Sequence, residues 1–73
     1  MKLQEKLGKL VNKDIIIELT KTDEKGYNYE VKGTLIEIGE DYFVINEFDE
    51  SGEQHIGEKI FTYNGILNIG SYR

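Results

Sequence analysis

The stretch VKGTLIEIGEDYFVIN, residues 31–46, decides how this chain is read. Tyr29 and Val31 open the inward face of a strand, yet Ile36 and Ile38 fall in the opposite phase from Leu35. Strand side chains alternate with period two, so a phase switch predicts a bend that packs each half against a different side of a barrel. Gly33 lies where such a bend needs no side chain. Residues 39–41, Gly-Glu-Asp, then predict a tight turn, and YFVINEF at 42–48 is apolar on both faces at Phe43, Val44 and Ile45.

Similar short strands lie on either side. In DIIIELT, residues 14–20, Ile15, Ile17 and Leu19 share one face, opposite Ile16, Glu18 and Thr20. Turn signals follow at Lys25-Gly26, at residues 49–52 and at Asn64-Gly65. HIGEKIFTY, between the last two, and ILNIG, after the last, predict a fourth and a fifth strand. Ahead of the strands, Leu3, Leu7 and Leu10 recur at helical spacing, with Gly8 weakening the helix and Asn12 placed to cap it. No crossover helix fits between the strands. The predicted fold is mostly β: a small, strongly bent five-stranded antiparallel barrel with a short N-terminal α-helix, one domain over residues 1–73.

At 73 residues with 38% apolar content and no cysteine, the chain has little core and no disulfide to supplement it. That favours burying more surface by association, as a ring or dimer of identical subunits. The net charge of −5 repels nucleic acid on average, but it is unevenly placed. Residues 37–58 hold eight acids and no Lys or Arg, whereas the first thirteen residues hold four Lys and one Glu. No window approaches the roughly 20 apolar residues of a membrane span, and MKLQEKLGKLVNK lacks the apolar run of a secretory signal. The expectation is a cytoplasmic protein without membrane contact.

The N-terminal helix, the five bent strands and VKGTLIEIGEDYFVIN together resemble the Sm and Sm-like family. Gly33, Leu35 and Ile38 match its first motif, and FTYNGILNI, residues 61–69, is similar to its second, with Gly65 in the glycine position. The resemblance implies a small barrel that assembles by strand addition between neighbours and binds RNA on a composite surface. It also places the family's turn Asp at Gly39, its base-contacting Asn at Phe43 and its basic residue at Asn64. The uridine-reading residues of the family therefore have no counterpart at these positions.

Two candidate sites follow from the residues. Lys2, Lys6, Lys9 and Lys13 recur at helical spacing and form a stripe fit for phosphates or an acidic partner; a solvated helix face has the same pattern. Ile66, Leu67, Asn68 and Ile69 form a short, uncharged strand, in a chain with no proline to protect an edge. This strand either pairs with another subunit or closes the barrel within one. Tyr27, Tyr29, Tyr42, Phe43 and Tyr63 suit base stacking or core packing alike. His55 is the only histidine, the acid pairs do not follow a calcium-loop spacing, and neither Ser51 nor Ser71 lies in a nucleophile-elbow sequence. No metal, cofactor or catalytic residue is expected. Two readings remain: a non-enzymatic Sm-like oligomer that binds or scaffolds, with RNA as its ligand, and an acidic protein-interaction module that never touches nucleic acid.

Overall fold

A computed structural model describes residues 3–72, apart from the side chain of Leu3. Among them lie one short helix, α1 (Leu3–Gly8), and five strands: β1 (Asp14–Thr22), β2 (Asn28–Ile38), β3 (Tyr42–Phe48), β4 (His55–Thr62) and β5 (Ile66–Ser71). The strands form one antiparallel sheet in the order β4-β3-β2-β1-β5. The first four run as a meander, and β5 returns to pair with β1. These ladders leave the sheet open, with β4 and β5 at its margins, so the closure expected of a barrel is not formed by them.

The alternation in β1 does what its spacing predicts. Ile15 and Ile17 are fully buried and Leu19 packs against them, while Glu18 stays on the other face. Leu7, Leu35, Phe43 and Ile45 complete the buried cluster, and no polar side chain is buried with it among the described residues. The Phe43 ring stacks with both Phe61 and Tyr63, at centroid distances of 5.6 and 5.7 Å. Tyr29, expected at the head of the inward face, is 46% exposed because the β1–β2 hairpin extends beyond the strands beside it.

The phase switch in β2 has a specific origin. Leu35 pairs with Ile45 and Glu37 with Val44, leaving Ile36 as an extra residue in the ladder. That single bulge lets Leu35 and Ile38, three positions apart, both reach the core. Two residues before Leu35, the backbone passes so close to β3 that a Cβ on Gly33 would stand 2.3 Å from Ile45 Cγ2 and 2.6 Å from the Asn46 carbonyl oxygen. A second bulge, at Leu67, acts likewise on β5: Ile66 and Ile69 both pack on the core, and Leu67 is left 57% exposed. In β4 the extra residue is Ile56, followed by Gly57 at φ 139, a conformation side chains disfavour. All four ladders carry a register shift, and bulges bend and twist a sheet.

The helix is shorter than the leucine spacing suggests. It ends at Gly8, and the chain continues as i→i+3 turns in which Leu10 N–H donates to Leu7 O at 2.8 Å and Lys13 N–H to Leu10 O at 2.9 Å. Asn12 adopts φ 69, the left-handed conformation that ends helical segments, and its N–H donates to Leu35 O at 2.6 Å. Leu7 and Leu10 still reach the core from the helix and the turn.

Two glycine substitutions should move stability in opposite directions. Gly33→Ala forces Ile45 and the β3 backbone apart and should lower stability by about 1–3 kcal/mol. Gly8→Ala has no neighbour closer than Ile38 Cδ1 at 3.7 Å and should raise it by about 0.5–1 kcal/mol. Urea midpoints of the two variants measure both shifts.

Candidate functional site

Four surfaces carry functional features: the two sheet margins, the paired turns at one end, and the outer face. At the β5 margin the backbone edge lies beside a groove of about 140 Å³ formed with α1, whose apolar lining includes Leu7, Leu10, Ile66 and Leu67. Lys6 stands at the same groove. At the β4 margin nearly the whole strand is exposed, with only Phe61 drawn part-way into the core. Leu67, Ile56 and Ile60 are 57%, 61% and 72% exposed, and all three lie on these marginal strands.

The candidate lysines do not form one helical stripe. Lys6 lies on α1, whereas Lys9 and Lys13 lie in the turns after it; all three are exposed. Lys2 lies outside the described residues. Of the candidate edge residues, Ile66 and Ile69 face the core, and Leu67 and Asn68 are exposed.

The β2–β3 and β4–β5 turns meet. Tyr63 O–H donates to Gly39 O at 2.7 Å, joining the β4–β5 turn to the β2–β3 turn. The resulting surface presents Glu40, Asp41 and Asn64. Gly39 is covered by the Tyr42 ring, where a Cβ would come within 2.2 Å of a ring carbon, and Phe43 is 0% exposed. Neither position can turn a polar group toward a base. The Tyr63 hydroxyl titrates above its ordinary range, through burial first and then the nearby Asp41 carboxylate.

The eight acids of residues 37–58 have different surroundings. Glu47 lies 2.6 Å from Lys59 Nζ through Oε1, an ion pair without hydrogen-bond geometry. Lys59 is largely exposed, so the pair adds little stability. Glu37 Oε2 accepts from Tyr42 O–H at 2.7 Å; this bond, then the charge of Glu37, holds the Tyr42 hydroxyl above its ordinary range. Asp49 organises the β3–β4 turn: its Oδ1 accepts from Ser51 Oγ at 2.6 Å, Gly52 N–H at 3.0 Å and Glu53 N–H at 3.3 Å. The Ser51 bond first, supported by backbone amides, depresses the Asp49 carboxyl below its ordinary range.

One cluster on the outer face has no signature in the sequence. Thr34 O–H donates to Asp14 Oδ1 at 2.7 Å, which leaves its oxygen to accept from His55 Nε2–H at 2.9 Å. A threonine nucleophile would need to give its proton to the histidine, so this chain of bonds has the reverse polarity. The His55 ring stacks on Phe48 with centroids 4.5 Å apart, Phe48 meets Tyr72, and Lys32 Nζ lies 5.3 Å from the Tyr72 ring centroid. These residues come from four strands and the segment after β5. Only the register could have brought them together, because Asp14, Thr34 and Asn46 are aligned across three strands. Among the described residues no group of three or more His, Asp or Glu is placed to hold a metal ion.

Among the described residues no helix is long and apolar enough to cross a membrane. No protein family, curated protein or solved structure matches the chain.

Two measurements check this account. Phe43→Asn, the residue that the Sm-like resemblance implies at this position, should cost about 3–5 kcal/mol by emptying the aromatic stack; an unchanged urea midpoint contradicts it. The folded Asp49 carboxyl lies below its unfolded value of about 3.9, so its contribution is present above that pH and is lost as pH falls through the folded value. The gap in urea midpoint between wild type and Asp49→Ala should therefore narrow between pH 7 and pH 2.

Proposed function

We propose that this protein is a non-enzymatic, Sm-like binding or scaffolding subunit of the cytoplasm that assembles with copies of itself, β4 of one copy adding to β5 of the next. The observation that carries this reading is that, among the described residues, the large exposed aliphatic side chains are confined to the two marginal strands. Soluble proteins usually protect a strand edge with charge, proline or a covering element. Here β5 is uncharged and the chain has no proline. Pairing β4 with β5 joins unlike surfaces, so repetition produces a ring where the rotation closes. It would also bring Leu67 toward Ile56 or Ile60 on the outer side, removing apolar surface from water at about 25 cal/mol per Å². The bent sheet, the covering helix and Gly33, Leu35 and Ile38 support an Sm-like barrel, closed within the subunit or by its neighbours.

RNA is the ligand class that the resemblance implies, with Lys2, Lys6, Lys9 and Lys13 as its contacts. The acidic paired turns favour the second reading, an acidic protein-interaction module. Glu40 and Asp41 lie with Asn64 where the two turns meet, and a carboxylate surface there repels phosphate.

Light scattering on the wild type should return a multimer at micromolar concentration, and Leu67→Glu should return a monomer with an unchanged circular dichroism spectrum. A monomeric wild type removes the assembly reading. Titration with single-stranded RNA at low salt, wild type against Lys2/Lys6/Lys9/Lys13→Glu, should show binding that the substitutions abolish. Binding that survives them removes the lysines from the interface.

A further inference from the structure

We propose that the outer face of β3 and β4 is a docking site for a basic peptide, whose aliphatic groups cover Val44 and Ile60 while its Lys or Arg cations meet Glu37 and Glu58. The site specifies a partner for the acidic-module reading and rests on that reading; it does not require the chain to self-associate.

Register builds the face. Val44 pairs with Ile60 across β3 and β4, and Glu37 pairs with Val44 across β2 and β3, so all three align across the sheet. Glu58 precedes Ile60 by two positions and shares its face. Together with Tyr42, these residues line a shallow basin open to solvent. Its apolar floor is exposed chiefly at Ile60 (72%), while Val44 is 8% exposed.

Charge selects the occupant. Among the described residues the one salt bridge joins Lys59 to Glu47, leaving Glu37 and Glu58 without a cation. Lys59 is adjacent to Ile60 in the strand and therefore points to the opposite face. Tyr42 O–H holds Glu37 Oε2 at 2.7 Å, which fixes one carboxylate at the rim before any ligand arrives. Covering Ile60 with a neutral surface would strip water from both carboxylates without replacing it, and an anionic ligand would be repelled. Lys and Arg satisfy both demands, since their stems lie on apolar surface while their charged ends reach carboxylates.

The test is a titration of ¹⁵N-labelled full-length protein at low salt with the capped peptide Lys-Ile-Lys-Ile-Lys, and separately with Glu-Ile-Glu-Ile-Glu. The basic peptide should give saturable amide shifts centred on Glu37, Val44, Glu58 and Ile60, and the acidic peptide none. Glu37→Gln and Glu58→Gln should each weaken binding by about two- to fivefold, and Glu58→Lys by more. The dispersion of each variant's spectrum reports whether it remains folded. Several outcomes overturn the site: shifts centred elsewhere, unchanged affinity in folded variants, the same shifts with single-stranded RNA, or concentration-dependent shifts there without peptide, which would make a second copy the occupant. Binding centred elsewhere leaves the acidic-module reading standing, whereas no binding of the basic peptide overturns both.

Discussion

The close approach of β2 to β3 at Gly33 is the constraint on which the rest of the molecule depends. With hydrogen as its side chain, the strand can pass Ile45 and the Asn46 carbonyl at distances that any Cβ would violate. The bulge at Ile36 then returns both Leu35 and Ile38 to the core, where a regular strand would have turned one of them to solvent. A small sheet fills its concave side by this means, using few apolar residues. Similar bulges at Leu67 and Ile56 extend the device to both margins. There the displaced residues are left outside, and the exposed aliphatic surface at the margins is in part a product of the bending.

Much of the architecture was legible because it rests on local periodicity. The face shared by Ile15, Ile17 and Leu19, the five strands, and the need for a bend near Gly33 could all be read from alternation and turn residues. The bulges were legible only as a phase conflict, since the residue to be expelled depends on pairing with another strand. Helix length was hidden for a related reason. The leucine spacing continues to Leu10, but Leu10 reaches the core equally well from a turn, so periodicity could not reveal the stop at Gly8. The candidate surfaces were harder still. Glu37 and Glu58 stand apart in sequence, and only the alignment of β2, β3 and β4 makes them rims of one apolar basin.

The acids, which composition presents as one block, separate once the fold is known. Asp49 serves its own turn, Glu47 faces Lys59, and Glu40 and Asp41 mark the meeting of two turns. Glu37 and Glu58 flank exposed hydrocarbon. Net charge alone describes long-range repulsion; the distribution decides where a partner of opposite sign gains contact as well as attraction.

The return of β5 to β1 has a consequence for how the chain reaches this state. Strands β1 to β4 join through short hairpins and can associate in sequence, each step closing a small loop. The β1–β5 ladder instead joins Ile15 to Ser71 across most of the chain, so its loop-closure entropy is the largest in the fold. Until β5 docks, β1 is itself a bare edge with Ile15, Ile16 and Ile17 in succession. The chain is then most exposed to pairing with the wrong molecule, and docking of β5 replaces that long apolar edge with a shorter one.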